Sequence, residues 1–60
     1  MSNIDYEAAV KAVYADAVCK HIYLGWRVTC PQQGRISGFE YTKERAWQAA
    51  YQLLKQQGKI

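Results

Sequence analysis

From Tyr23 to Cys30 the chain alternates with a period of two: Leu24, Trp26, Val28 and Cys30 fall on one side, and Tyr23, Gly25, Arg27 and Thr29 on the other. That alternation is the mark of a strand with one buried face. Pro31-Gln32-Gln33-Gly34 then reads as a turn, with proline presetting φ at its start and glycine relieving the exit. Arg35 to Tyr41 is the returning strand. If Cys30 pairs with Arg35, then Val28 faces Ser37, Trp26 faces Phe39 and Leu24 faces Tyr41. All the large side chains of the hairpin then share one face without a bulge. The reverse face carries Arg27, Thr29, Ile36, Gly38 and Glu40, with Arg27 and Glu40 near enough diagonally to pair.

Both flanks read as helices. Thr42 is a good N-cap, Glu44 sits in the first turn behind it, and Gly58 is the expected stop. Between them, Lys43 to Gln57 is amphipathic: Ala46, Trp47, Ala50, Tyr51, Leu53 and Leu54 on one face, Arg45, Gln48, Gln52, Lys55 and Gln56 on the other. The amino-terminal stretch from Asn3 to Ile22 also predicts a helix, capped by Ser2 or Asn3, with Asp5 and Glu7 near its start and Lys20 and His21 near its end. It shows two apolar faces. One carries Tyr6, Val10, Val13, Tyr14, Ala17 and His21. The other carries Ile4, Ala8, Ala12, Ala15, Cys19 and Ile22, with small side chains through its middle.

The predicted fold is therefore α+β in the order α-β-β-α: a two-stranded antiparallel hairpin with both helices packed on its aromatic face. Trp26, Phe39, Tyr41, Trp47 and Leu54 are the expected core. Residues 1–60 are expected to form a single domain. A chain of 60 residues buries only about 60% of the surface exposed when it is unfolded, so stability should be modest. Charged residues break every apolar run before it reaches signal-peptide or membrane-span length, which points to the cytoplasm.

The candidate chemistry is thin. The single histidine, His21, falls on the core-facing side of the predicted first helix, and no nucleophile–base pair lies at a fixed helical offset. Cys19, His21 and Cys30 match no common zinc spacing, so neither a metal nor any other cofactor is expected, and the chain is read as non-catalytic. The eight Lys and Arg residues against five Asp and Glu give a net charge of +3, which permits a polyanion partner without requiring one.

Two surfaces remain. Arg27, Thr29, Arg35 and Ser37 cluster at one end of the hairpin, where a two-stranded ribbon could meet nucleic acid. Ala8, Ala12, Ala15 and Cys19 form a small-residue seam on the predicted first helix, where another helix could approach closely. That seam could hold a protein partner or a second copy of the chain, making a homodimer through the first helix.

Gly25-Trp26-x-Val28, then Gly34, then Phe39-x-Tyr41-Thr42-Lys43-Glu44-x-Ala46 resembles a pattern of small bacterial hairpin–helix domains and of the arm-type DNA-binding domain of phage integrases. The resemblance implies a sheet that enters the major groove, and again points to Arg27, Thr29, Arg35 and Ser37. The integrase domain differs in having three strands, no long preceding helix and a more basic hairpin. The first functional expectation is a small protein-binding module, a phage or mobile-element accessory factor that blocks or modulates a larger complex. The alternative is a nucleic-acid-binding module using the open face of the hairpin.

Overall fold

The computed structural model describes residues 4–60. Its elements run α1 (Tyr6–Val13), β1 (Val18–Ile22), β2 (Gly25–Cys30), β3 (Gly34–Arg35) and α2 (Lys43–Gln56). The class is α+β as expected, but the sheet has three antiparallel strands in the order β1-β2-β3. The additional strand, β1, comes from the second half of the segment expected to be one long helix.

That helix stops at Val13. Asp5 caps it, its carboxylate accepting from the Ala8 N–H at 3.1 Å. The Ser2 and Asn3 caps expected from sequence lie outside the described residues. Tyr14 closes the carboxyl end in extended conformation, donating to the Val10 carbonyl at 2.8 Å. Val18 to Ile22 then pairs with β2, Val18 opposite Thr29 and Ile22 opposite Gly25. The two-residue connection Tyr23-Leu24 is too short for anything but a tight hairpin. Tyr23 has φ +58°, a left-handed conformation that costs a bulky residue about 1–2 kcal/mol. Tyr23→Gly is accordingly expected to raise stability by about 1 kcal/mol, seen as a thermal midpoint about 4–8 °C higher. An unchanged midpoint would show that the turn carries no such strain.

The β2–β3 register is one residue away from the expected one. Cys30 pairs with Gly34 and Thr29 with Arg35, across a three-residue loop that Gly34 closes at φ +78°. Ile36 N–H donates to the Val28 carbonyl at 3.0 Å. The ladder resumes where Trp26 meets Glu40, so the returning segment holds two extra residues between these points, a bulge around Ser37 and Gly38. A one-residue slip turns every side chain to the opposite face. Ile36 therefore points inward and is fully buried, while Phe39 and Tyr41, expected in the core, are 56% and 83% exposed.

The core consists of Val10, Ala17, Val28, Cys30, Ile36, Ala46, Trp47, Ala50 and Leu54, with Tyr6, Val13, Tyr14, Cys19, Trp26, Tyr51 and Leu53 packed around it. The amphipathic reading of α2 holds: Thr42 caps it, accepting from Arg45 N–H at 3.1 Å, and Ala46, Trp47, Ala50 and Leu54 are its buried stripe. Its end is a Schellman turn, with Gly58 N–H donating to Lys55 and Lys59 N–H to Leu54. The two helices do not share the sheet equally. α2 lies along β2 and β1, whereas α1 packs against α2, where Tyr6 meets Tyr51 edge-on at 5.1 Å between centroids.

Candidate nucleic-acid interface

The strand register sorts the sheet residues into two faces. Opposite partners on an antiparallel ladder point the same way. Cys19, His21, Trp26, Val28, Cys30 and Ile36 share the side that meets α2. The other side is uncovered by helix. Across its first row stand Val18, Thr29 and Arg35, across the second Lys20 and Arg27, and across the third Ile22 and Gly25. At ordinary strand spacing this places the Cα of Arg27 about 5 Å from that of Lys20 and about 8 Å from that of Arg35, with Lys20 and Arg35 about 12 Å apart.

No strand position of this face carries a carboxylate. Glu40 stands opposite Trp26, on the other face, and helps line a shallow groove with Arg45, Gln48 and Gln52 of α2. The expected Arg27–Glu40 pair is not formed: among the described residues the ion pair found is Glu7–Lys11, at 2.7 Å on the surface of α1. Arg27 is half-buried, and its Nε is enclosed with no hydrogen-bond partner among the described residues.

Of the four residues read from sequence as a nucleic-acid surface, Arg27, Thr29 and Arg35 do come together. Ser37 does not join them. It is buried, and its hydroxyl accepts from the Val28 N–H at 2.8 Å while donating to the Gly38 carbonyl at 3.1 Å. It thus replaces the strand carbonyl that the bulge removes. Ser37→Ala should leave a buried donor unpaired and cost about 1–3 kcal/mol, measured by urea denaturation. A loss below a few tenths would mean the bulge reseals without the hydroxyl.

Lys20 joins the cluster, although the sequence pattern places it at the end of a helix. Its alternation with Val18 and Ile22 is the signal that points to a strand instead. Phe39 is a surface group that the sequence pattern places in the core. Its ring lies over Gly25: a Cβ built on that glycine would collide with Phe39 Cε1, and would stand 2.7 Å from its Cδ1 and 2.5 Å from the Glu40 carbonyl oxygen.

The seam of small residues is dispersed. Ala8 and Ala12 are exposed on α1, Ala15 lies in the following turn, and Cys19 is in β1 packed against the core. No continuous helical stripe joins them. His21 is likewise on β1 rather than on a helix, exposed, with its ring 4.7 Å from that of Trp26. Cys19 and Cys30 are both free thiols. Burial pushes the Cys19 thiol up, with Lys43 working against the shift and Glu7 adding to it. The group is a protonated, weak nucleophile near neutral pH.

Among the described residues, no three His, Cys, Asp or Glu side chains converge as metal ligands, and no helix is long and apolar enough to cross a membrane. A concavity of about 430 Å³ lies between the starts of the two helices. Its Asp5 and Glu7 carboxylates are engaged, one as the α1 cap and one with Lys11. Compared with protein-family models, with curated proteins and with solved structures, the chain matches none.

Proposed function

We propose that this chain is a nucleic-acid-binding module that uses the helix-free face of its sheet. The observation that carries the reading is the gathering of Lys20, Arg27 and Arg35 from three different strands on one face with no carboxylate among them. Scattered charge in the sequence becomes a patch only through the register, and a patch of one sign is what a phosphate backbone selects.

Binding to fluorescein-labelled oligonucleotides of about 12 nucleotides, followed by anisotropy from about 20 mM salt upward, tests this. Three phosphate contacts give a slope of log affinity on log salt of about −2 for a single strand, and Lys20→Ala, Arg27→Ala or Arg35→Ala should each reduce the slope by about 0.7. Absence of binding to both single strand and duplex at the lowest salt would overturn the proposal. So would a triple variant that binds like the wild type.

A second reading, a protein-binding module, draws on a different observation. Tyr23 and Leu24, 89% and 82% exposed, sit at the β1–β2 turn. Exposed apolar side chains at a strained turn suit a protein contact. The form of this reading that places a homodimer on α1 loses its continuous surface. Self-association through the turn would show as a concentration-dependent mass in sedimentation, removed by Leu24→Ser.

A further inference from the structure

Phe39 is a large apolar side chain more than half exposed, on the same face as the three cations. Its exposure is built in. Gly25 alternates with Arg27 and Thr29 on that face, and the space its missing side chain would fill is taken by the Phe39 ring. The ring packs against Gly25 of β2 while 56% of the residue stays exposed. An aromatic that merely shielded the glycine backbone would do so as well when covered by its neighbours.

We infer that the ligand of this face is a single-stranded nucleic acid and that Phe39, seated on Gly25, is the platform on which one of its bases stacks. The inference rests on the nucleic-acid reading above and narrows it. In a duplex the faces of the bases are hidden in the stack, and only their edges reach the grooves. A phenylalanine ring has no donor or acceptor for those edges and would meet there only a thymine methyl, leaving its π-face unused. A single strand turns its base faces outward, and every base can stack on an aromatic ring. The arrangement supplies both halves of such a site: Lys20, Arg27 and Arg35 for the phosphates, and the Phe39 ring for a base, with apolar Ile22 opposite Gly25 at its side. The chemistry is shared by single-stranded DNA and RNA.

The test compares oligothymidylate, oligouridylate and a duplex of equal length, at low salt, with four proteins: wild type, Arg27→Ala, Phe39→Leu and Phe39→Trp. Leucine keeps apolar cover over Gly25 but removes the π-face. The expected result is a wild type that prefers either single strand to the duplex by tenfold or more, a Phe39→Leu protein weakened about tenfold on single strands, and a Phe39→Trp protein that retains binding. The indole added in Phe39→Trp should be quenched by the oligonucleotide beyond the change seen in wild type. Thermal unfolding checks that Phe39→Leu is folded; if it is not, the Phe39→Trp quenching and the strand preference decide. Binding that falls in Arg27→Ala but not in Phe39→Leu, an indole left unquenched in Phe39→Trp, or a duplex bound as tightly as the single strands, overturns the stacking inference and leaves the nucleic-acid reading standing. No binding to any of the three removes both.

Discussion

Gly25→Ala is expected to be the most damaging single-methyl change in the molecule. The added carbon would lie 2.5 Å from the Glu40 carbonyl oxygen and collide with the Phe39 ring. The ring could turn away, but the carbonyl is backbone. It accepts from Trp26 N–H at 2.7 Å, and Glu40 N–H returns a bond to the Trp26 carbonyl at 2.9 Å. Relieving the collision means breaking this bridge, which joins the returning segment to β2 beyond the bulge. Overpacking of this kind costs about 1–3 kcal/mol, and each lost hydrogen bond adds about 1 kcal/mol. The sum, about 3 kcal/mol or more, is set against a total that for 60 residues is about 3–9 kcal/mol. The variant should be largely unfolded at 37 °C by circular dichroism. Gly38→Ala is the control. Its Cβ would meet only Glu40 Oε2, at 3.7 Å, an ordinary contact, and it should be neutral or stabilising by up to about 1 kcal/mol. If the two alanines unfold at the same temperature, the close approach at Gly25 is wrong.

Ile36→Ala carries the second large expectation. Ile36 is 0% exposed and sits opposite Val28, itself fully buried. Removing its three outer carbons leaves a void where β3, β2 and the core meet, at about 2–5 kcal/mol. Ile36→Val should cost about 0.5–1.5 kcal/mol. In the register expected from the aromatic residues, Ile36 would instead lie on the solvent face, where such a change is worth within about 0.5 kcal/mol. One urea midpoint therefore distinguishes the two registers, and a loss under about 1 kcal/mol would favour the slipped one.

That slip shows where local pattern stops being informative. The segment Arg35–Tyr41 offers Ile36 on one parity and Phe39 and Tyr41 on the other. Counting apolar bulk selects the aromatics. The folded chain selects the smaller Ile36, because a three-residue loop closes the hairpin at Gly34 and because Ser37 supplies the acceptor that makes a bulge tolerable. Neither fact has a period. The first helix fails for a related reason. Alanines at positions 8, 9, 12, 15 and 17 are compatible with any face of any element, so they extend a helical pattern through residues that belong to a strand. The strand signal of Val18-Cys19-Lys20-His21-Ile22 is present, but it is five residues long and gains its stability only from pairing with β2.

The candidate site is half legible for the same reasons. Arg27, Thr29 and Arg35 can be grouped from the hairpin alone, since they lie close in sequence to one turn. Lys20 cannot, because its place beside Arg27 depends on a strand that the sequence hides. Phe39 moves from core to surface as the consequence of the register change, whereas Ser37, of the same parity, is buried because the bulge brings its hydroxyl to the Val28 N–H.

By itself the sequence determined the α+β class, the β2 strand, the loop beginning at Pro31, and α2 with its Thr42 cap and its buried stripe ending at Leu54. These are set by backbone chemistry and periodicity within a few residues of chain. Only the tertiary structure decided the third strand, the β2–β3 register and therefore which face each residue of that segment meets. Each of these is a choice among locally equivalent states, settled by hydrogen bonds and packing between residues distant in sequence. The cationic face with Phe39 on it is the product of those choices.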